Sequence, residues 1–212
     1  MSNHTFINTI IFDWDGTLAD SSSLGLMAFQ KSFAELGLVF DVDTYETTYS
    51  PNWHSTYEAL ALPREKWEEA DRLWLLHYGE QVAALIEGVA ETLQDLHRRN
   101  YRLGIVTSGS ESRVCREIAR SELQGVFDAI ICNEHIIKKK PHPEGLELAL
   151  QRLQCDSMAA AYVGDAPEDI EMGKALNVLT IGLRSNYPSN TRLLNSSPDI
   201  YLERMPELLD HF

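Results

Sequence analysis

The stretch IIFDWDGTLAD, residues 10–20, carries the strongest signal in this sequence. It begins within a short apolar run, residues 7–12, that is typical of a buried strand. Asp13 and Asp15 follow, and in extended backbone residues i and i+2 point to the same side. Two adjacent carboxylates at the end of a buried strand repel each other, so the pattern predicts a hard divalent cation or a shared proton between them. The alternative is a polar turn that caps a helix, because Asp, Gly and Thr are common in turns.

Four later apolar runs also predict buried parallel strands, and they cover residues 102–107, 127–132, 160–163 and 178–181. Amphipathic segments alternate with these runs and predict helices over residues 89–99, 112–123, 143–153 and 167–176. This alternation indicates an α/β fold, a Rossmann-like core with a doubly wound parallel sheet. Ligands of such sheets bind beyond the carboxyl ends of the strands, where Asp13 and Asp15 lie.

The segment between residues 20 and 87 breaks the alternation. It shows helical patterns over residues 24–36 and 64–82 but no comparable strand, so we expect a helical insertion in the α/β core. Residues 47–55, TTYSPNWHS, are polar and aromatic and contain a proline, which predicts a loop. Residues 184–198, rich in Asn, Ser and Pro, predict a second long loop before a short C-terminal element.

Composition limits the classes of function. The 212 residues suit one domain with an insertion, and 44% apolar residues suffice for a buried core. The formal net charge of −14 argues against nucleic acid and anionic membranes as partners, because both would be repelled. Three cysteines without a CxxC pair, and no signal or membrane-spanning run, favour a cytoplasmic protein. The oligomeric state stays open, with a monomer as the simpler expectation.

Hydroxyl residues follow the predicted strand at residues 102–107. Thr107, Ser108 and Gly109 offer hydroxyl and backbone groups that suit the binding of anionic oxygens at the start of a helix. Capping of the next helix by Ser110 or its neighbours explains the same residues without a ligand. Both explanations stay open.

Three consecutive lysines, residues 138–140, form a basic island in this acidic chain. A solvated surface is the ordinary explanation for Lys138 and Lys139. Lys140 precedes Pro141, which holds its backbone extended, so it is the better candidate for a fixed role.

Acidic residues appear again after the run at residues 160–163. Asp165 follows that strand directly, and Asp169 lies at the start of the next predicted helix, where capping is the alternative explanation. Four successive strand ends thus supply complementary charges and hydroxyls. Independent turns would not do so consistently, and the sequence predicts one shared site at this edge of the sheet.

These four motifs, in this order, resemble those of the haloacid dehalogenase-like hydrolases, and among them the phosphatases with a small helical cap, which include the phosphoglycolate phosphatases. The first motif, Asp-x-Asp-Gly-Thr at residues 13–17, is the most specific. The resemblance covers nearly the whole chain. It implies a catalytic core formed by residues 1–19 and 88–212 and a helical cap formed by residues 20–87.

The resemblance also implies a Mg²⁺-dependent phosphatase that hydrolyses a small phosphorylated metabolite through an aspartyl-phosphate intermediate. Asp13 would be the nucleophile, and Asp15 the general acid and base, with a pKa raised by crowded carboxylates and loss of solvent. Thr107, Ser108 and Lys140 would bind the phosphoryl oxygens. The Mg²⁺ ligands would be Asp13, Asp15 through its backbone carbonyl, Asp165 and, directly or through water, Asp169.

Within the implied cap, the loop TTYSPNWHS is the segment expected to face the substrate. Tyr49, Asn52, Trp53 and His54 are the candidates for substrate selection, although an exposed surface position is the ordinary explanation for His54. The loop departs from the glycine-containing stretch typical of phosphoglycolate phosphatases. The sequence therefore assigns no particular substrate.

Several alternatives remain. A sugar phosphomutase of the β-phosphoglucomutase kind also has both aspartates, but the histidine that such mutases tend to carry shortly after the first motif is missing. A dehalogenase lacks the second aspartate. From another class, a phosphate-holding receiver module or a catalytically silent binding module would bind phosphate without turnover. The seven histidines show no HxxxH or HExxH spacing, which argues against a zinc hydrolase.

Overall fold

The computed structural model describes residues 7–212, so the first six residues of the predicted core lie outside the described residues. Eight strands occur within that range: β1 Thr9–Phe12, β2 Ala19–Asp20, β3 Ala84–Leu85, β4 Arg102–Val106, β5 Ala129–Ile131, β6 Ala160–Gly164, β7 Leu179–Leu183 and β8 Ile200–Leu202. Six of them form one parallel sheet in the order β5-β4-β1-β6-β7-β8. The central position of β1 puts the residues that follow it in the middle of the carboxyl edge.

Nine α-helices occur in the same described range: α1 Ser22–Glu35, α2 Val42–Thr48, α3 Trp53–Ala59, α4 Trp67–Tyr78, α5 Val89–Arg98, α6 Glu111–Arg120, α7 Glu144–Arg152, α8 Pro167–Ala175 and α9 Asn190–Asn195. Helices α5 and α6 pack on one face of the sheet, and α7 and α8 pack on the other. Ile10 and Phe12 point to the first face and Ile11 to the second, and all three are fully buried. The predicted doubly wound, Rossmann-like α/β core is confirmed. No helix within residues 7–212 combines the length and the apolar composition that a bilayer crossing requires.

Helices α1 to α4, residues 22–78, form what we call the helical insertion. It lies between β2 and β3, which pair antiparallel with Ala19 opposite Leu85 and Asp20 opposite Ala84. The chain therefore leaves the core and returns to it at one place. Aromatic contacts hold the insertion together; the ring of Phe33, for example, lies 4.8 Å from the ring of Phe40.

The predictions of both loops are wrong in part. Helix α2 ends at Thr48 and α3 begins at Trp53, so only residues 49–52 of the predicted loop at 47–55 connect the two helices. Each helix has seven residues, which is too short for a hydrophobic period to show in the sequence. Within the second predicted loop, Asn190–Asn195 forms α9.

Candidate active site

The predicted site residues lie at the carboxyl edge of the sheet. Asp13 and Asp15 follow β1, Thr107 and Ser108 follow β4, Lys140 lies between β5 and α7, Asp165 follows β6, and Asp169 stands in the first turn of α8. Parallel strands end at the same edge, which brings residues far apart in sequence to one place. A cavity of about 180 Å³ opens above this edge, between the sheet and the helical insertion.

Asp13, Asp165 and Asp169 form a buried acidic cluster. One carboxylate oxygen from each lies within 4.8 Å of the other two, and the residues are 5%, 2% and 1% exposed. Lys140 donates from Nζ to Oδ1 of Asp13 and to Oδ1 of Asp169, both at 2.7 Å. One cation therefore faces three carboxylates, so the cluster holds an excess of negative charge when all three are ionised.

This excess charge changes how the cluster titrates. Burial raises the pKa of Asp13 to about 7; Lys140 lowers it, and Asp169 and Asp15 raise it. Burial, with the charges of Asp13 and Asp169, holds the pKa of Asp165 well above its ordinary value. Burial opposes the charged form of Lys140, but the charges of Asp13 and Asp169 keep its pKa above the usual lysine value. The cluster thus attracts protons, or a cation that replaces them.

The oxygen atoms of the cluster fit a Mg²⁺ ion. Within residues 7–212, neither Oδ2 of Asp13 nor Oδ1 of Asp165 accepts a hydrogen bond, so both are free to coordinate. Asp169 is engaged at both oxygens, by Lys140 and Tyr162 at Oδ1 and by the backbone N–H of Ala166 at Oδ2. Asp13 and Asp165 therefore suit direct coordination by hard oxygen atoms, and Asp169 suits a supporting position.

Gly16 allows the first motif to approach Asp165. Its φ of 83° lies in the left-handed region, and a Cβ at this position would lie 2.3 Å from Oδ2 of Asp165 and 2.7 Å from the ring of Tyr187. Ser185 donates from Oγ to the same Oδ2 at 2.7 Å. Ser185 and Tyr187 belong to the predicted loop at residues 184–198, and no signal in the sequence pointed to either.

Thr107 is 1% exposed, and its Oγ1 accepts from the backbone N–H of Gly109 at 3.0 Å. Within residues 7–212 its hydroxyl hydrogen makes no hydrogen bond, so it can be donated to a ligand. Ser108 lines the cavity beside it. Ser110 occupies the N-cap position of α6, but its side chain makes no capping hydrogen bond. Capping of α6 by Ser110 therefore does not account for this cluster of hydroxyls.

Asp15 takes part in an ion pair that the sequence analysis missed. Arg113 of α6 donates to both of its carboxylate oxygens, at 2.9 and 2.5 Å, and Ser21 donates to Oδ1 at 2.6 Å. Burial acts to raise the pKa of Asp15, but Arg113 and Ser21 outweigh it and hold this pKa below its ordinary value. The prediction of a raised pKa is wrong, because a guanidinium bound to both oxygens outweighs the effect of burial.

Glu117, one turn further along α6, orients Arg113. Glu117 is fully buried and accepts from Nη1 of Arg113 at 3.1 Å, from Nε1 of Trp14 at 2.7 Å and from the hydroxyl of Tyr78 at 2.7 Å. Trp14 stands between the two motif aspartates, and Tyr78 ends α4 of the helical insertion. The pair of Arg113 and Glu117 thus links the first motif, α6 and the insertion.

A sequence signal for Arg113 existed. A cation in the first turn of a helix is unfavourable beside the positive end of the helix dipole, so it needs a compensating partner. Glu117 lies four residues later, at the spacing of a helical ion pair. The close approach also depends on Gly109, because a Cβ at that position would lie 2.4 Å from Nη2 of Arg113.

The four candidates for substrate selection occupy two environments. Tyr49 and Trp53 line the same cavity as Asp13 and Asp15. Asn52 and His54 are not among the residues that line it; the ring of His54 packs 4.6 Å from that of Trp67. The structure therefore brings only two of the four candidates to the cavity wall.

Comparison with known proteins supplies the identification. Residues 10–183 match the family model described as haloacid dehalogenase-like hydrolase. The chain belongs to this family. The resemblance stated above and the predicted hydrolase class are thereby confirmed.

Relatives of this haloacid dehalogenase-like hydrolase match it over almost their full length. Pyrophosphatase PpaX from Listeria welshimeri is 30% identical over 206 residues, which cover 96% of this chain and 95% of that protein. The haloacid dehalogenase-like family protein SP0104 from Streptococcus pneumoniae is 27% identical with a TM-score of 0.84, and the match covers 97% of this chain and 98% of that one. CbbY from Rhodobacter sphaeroides, solved in complex with phosphate, is 23% identical with a TM-score of 0.81 and 96% coverage of each chain, and it shows the shared fold alone.

Proposed function

We propose that the chain is a Mg²⁺-dependent phosphatase that hydrolyses a small phosphorylated metabolite through an aspartyl-phosphate intermediate. The observation that carries the proposal is the buried cluster of Asp13, Asp165 and Asp169 around Lys140, in which Asp13 keeps a free carboxylate oxygen. The relative from Listeria welshimeri is named a pyrophosphatase, and this name supports phosphoryl transfer chemistry.

The reaction would proceed in two steps at Asp13. A carboxylate oxygen of Asp13 attacks the phosphorus while the ester P–O bond breaks, and the leaving oxygen takes a proton from Asp15. A water then attacks the aspartyl phosphate, loses a proton to Asp15, and inorganic phosphate and free Asp13 are formed. Bound Mg²⁺ would supply neutralisation of the charge on the phosphoryl oxygens.

Thr107 and Lys140 would hold the transferred phosphoryl group, with Ser108 assisting. Lys140 is already fixed by Asp13 and Asp169, so its charge is in place before the substrate binds. The oxygen of Thr107 accepts from Gly109, and its hydroxyl hydrogen makes no hydrogen bond within residues 7–212, so it can be donated to a phosphoryl oxygen. Preorganised donors of this kind stabilise charge that develops on the phosphoryl oxygens.

Arg113 affects the two roles proposed for Asp15 in opposite ways. Its guanidinium favours the ionised form of Asp15, which suits removal of a proton from the hydrolytic water. Donation of a proton to the leaving group requires this ion pair to loosen. We therefore assign Arg113 as a positioning residue that aims the carboxylate of Asp15 at the cavity.

We also propose that the helical insertion, together with the residues that flank it within 20–87, acts as a cap over a core formed by residues 1–19 and 88–212. The cavity lies between the two and is lined by residues of both, among them Tyr49 and Trp53 from the insertion. An insertion that closes over the site would exclude bulk water during transfer. Tyr49 and Trp53 would then contact the leaving group.

Steady-state phosphate release from a panel of small phosphate monoesters tests this function. We expect many turnovers with Mg²⁺, none with excess chelator, and a loss of at least about 10³-fold in kcat for Asp13→Asn. Asp210→Asn, at an exposed position, is the matched control and should retain wild-type activity. Phosphate release that persists in Asp13→Asn would contradict the nucleophile, and conversion of sugar-phosphate isomers without release would favour a mutase.

A further inference from the structure

The cavity above the carboxyl edge of the sheet has a largely aromatic wall. Eight aromatic side chains line it: Phe29, Tyr45, Tyr49, Trp53, Tyr57, Trp74, Tyr78 and Tyr187. Two pairs are stacked, Trp74 on Tyr78 at 5.0 Å and Tyr49 on Tyr187 at 4.8 Å. Most of these residues belong to the helical insertion, so this wall faces the part of the substrate that leaves the phosphorus.

The charges around the cavity do not suit a second anionic group. Among the described residues that line it, Arg113 is the one cation, and both Asp15 and the buried Glu117 already neutralise it. Asp71 and Glu134 add further carboxylates to the wall. A carboxylate or phosphate on the leaving group would lie among these carboxylates with no cation available to pair with it.

Lys139 is a further candidate for such a cation, because its Nζ lies 6.0 Å from the centroid of the Trp53 ring, but it is held by other groups. Its Nζ donates to the backbone carbonyls of Asn133 and Ile136, at 2.9 and 3.4 Å, and Lys139 is not among the lining residues. The lysine run therefore contributes Lys140 to the phosphoryl end of the site and does not contribute a cation to the leaving-group end.

The cavity wall also contains neutral polar atoms without partners. The hydroxyl of Tyr45, Nε1 of Trp74 and Oγ of Ser110 are buried and make no hydrogen bond within residues 7–212. Each can donate a hydrogen bond, and a buried donor without an acceptor is costly. Asp71, by contrast, already accepts from Trp53 and Tyr57. The wall thus requires hydrogen-bond acceptors, and at Asn133, whose buried Oδ1 also lacks a partner within residues 7–212, a donor.

We infer that the substrate is a phosphate monoester whose leaving group is aromatic or heteroaromatic, carries hydrogen-bond acceptors and bears no negative charge. This inference rests on the proposed phosphatase function and specifies its substrate class. Aromatic rings stack on one another with a free-energy gain beyond that of area burial, and the acceptors of a heteroaromatic ring would satisfy the free donors. Pyrophosphate and 2-phosphoglycolate, each with a second anionic group, are the substrates that this wall disfavours.

Kinetics with matched esters test the inference. We would compare kcat/KM for benzyl phosphate, pyridylmethyl phosphate, cyclohexylmethyl phosphate, phosphocholine, 2-phosphoglycolate and pyrophosphate with Mg²⁺. We expect the two aromatic esters to exceed each of the others by about tenfold or more, and pyridylmethyl phosphate to exceed benzyl phosphate. A preference for 2-phosphoglycolate, pyrophosphate or phosphocholine would overturn the inference and leave the phosphatase intact. Failure to hydrolyse any of them would instead count against the proposed function.

A variant of the wall provides a second test. Trp74→Leu should lower the ratio of kcat/KM for benzyl over cyclohexylmethyl phosphate by about threefold to tenfold, because it removes one stacking face. Leu76→Ala, on the same helix but 61% exposed, is the matched control and should keep the wild-type ratio. An unchanged ratio in folded Trp74→Leu would contradict the inference.

If Trp74→Leu fails to fold, Asp71→Asn gives an independent result. The amide oxygen of Asn can still accept from Trp53 and Tyr57 while the negative charge is lost. We expect the preference for benzyl phosphate over 2-phosphoglycolate, measured as the ratio of their kcat/KM values, to fall. An unchanged or wider preference would show that the charge of the wall does not select the leaving group.

Discussion

Lys140 is the residue on which the acidic cluster depends. It is 2% exposed and is the cation that bridges Asp13 and Asp169, so its loss leaves buried carboxylates without compensation. We predict that Lys140→Met lowers the free energy of unfolding by about 3–5 kcal/mol without metal, as measured by urea denaturation. Added Mg²⁺ should reduce this deficit, because it would replace part of the missing positive charge.

Lys138→Met is the matched control for Lys140→Met, since Lys138 belongs to the same lysine run but is exposed. We expect it to change the free energy of unfolding by no more than about 0.5 kcal/mol. Equal effects of the two substitutions would contradict a compensating role for Lys140.

The raised pKa of Asp13 predicts that metal binding depends on pH. Burial raises its pKa to about 7, so below pH 7 a proton competes with Mg²⁺ for the same carboxylate. We predict that the Kd for Mg²⁺, measured by calorimetry, rises by up to about tenfold for each pH unit below 7. The free energy of unfolding at each pH would establish that the protein stays folded. Equal Kd values at pH 8 and pH 6 would exclude Asp13 as a ligand that must lose a proton.

At the scale of elements, α6 connects the carboxyl edge of the sheet to the helical insertion. Glu117 on this helix accepts hydrogen bonds from Arg113, Trp14 and Tyr78, with no exposure to solvent. We predict that Glu117→Gln lowers the free energy of unfolding by about 2–3 kcal/mol, because the amide cannot satisfy three donors and the charge that pairs with Arg113 is lost.

Glu111→Gln is the control on the same helix. Its side chain is 56% exposed, and the loss of a negative charge in the first turn should cost less than about 1 kcal/mol. If both substitutions destabilised the protein equally, the effect would belong to α6 as a whole and not to the buried hydrogen-bond network.

At the scale of the whole molecule, a small set of side-chain contacts holds the helical insertion against the core. Ser50 donates to Glu168 at 2.8 Å, Arg192 donates to the carbonyl of Tyr49 at 2.7 Å, and Tyr49 stacks on Tyr187. If a ligand binds only the closed form, it reduces the population of the open form.

We predict that inorganic phosphate at ten times its Kd, with Mg²⁺, slows amide hydrogen exchange in α2 and α3 by about tenfold relative to Mg²⁺ alone. Helix α7, which packs with α8 on the face of the sheet opposite α5 and α6, serves as the internal control. Ser50→Ala should speed exchange in α2 and α3 without ligand, whereas Ser55→Ala, at an exposed position of α3, should not. Equal slowing in α7 would indicate a global change rather than closure.

Local sequence patterns were enough to predict the α/β core and the carboxyl edge on which the predicted site residues lie. Short apolar runs and amphipathic segments are local patterns that predict strands and helices. Because the parallel strands of such a sheet end at the same edge, these patterns also predict which residues lie close together. Asp13, Lys140, Asp165 and Asp169 could therefore be grouped without coordinates. The short helices α2 and α3 could not be predicted, because seven residues show no hydrophobic period.

The partners of those residues follow from the folded chain and not from local sequence patterns. Arg113 contacts Asp15 because the first turn of α6 faces the end of β1. Tyr187 lines the cavity because a loop near the C-terminal end of the chain returns to the site. Such contacts depend on the orientation of helices and on where loops cross, and local periodicity encodes neither. The lowered pKa of Asp15 and the aromatic wall of the cavity follow from these contacts, so both appear only in the folded chain.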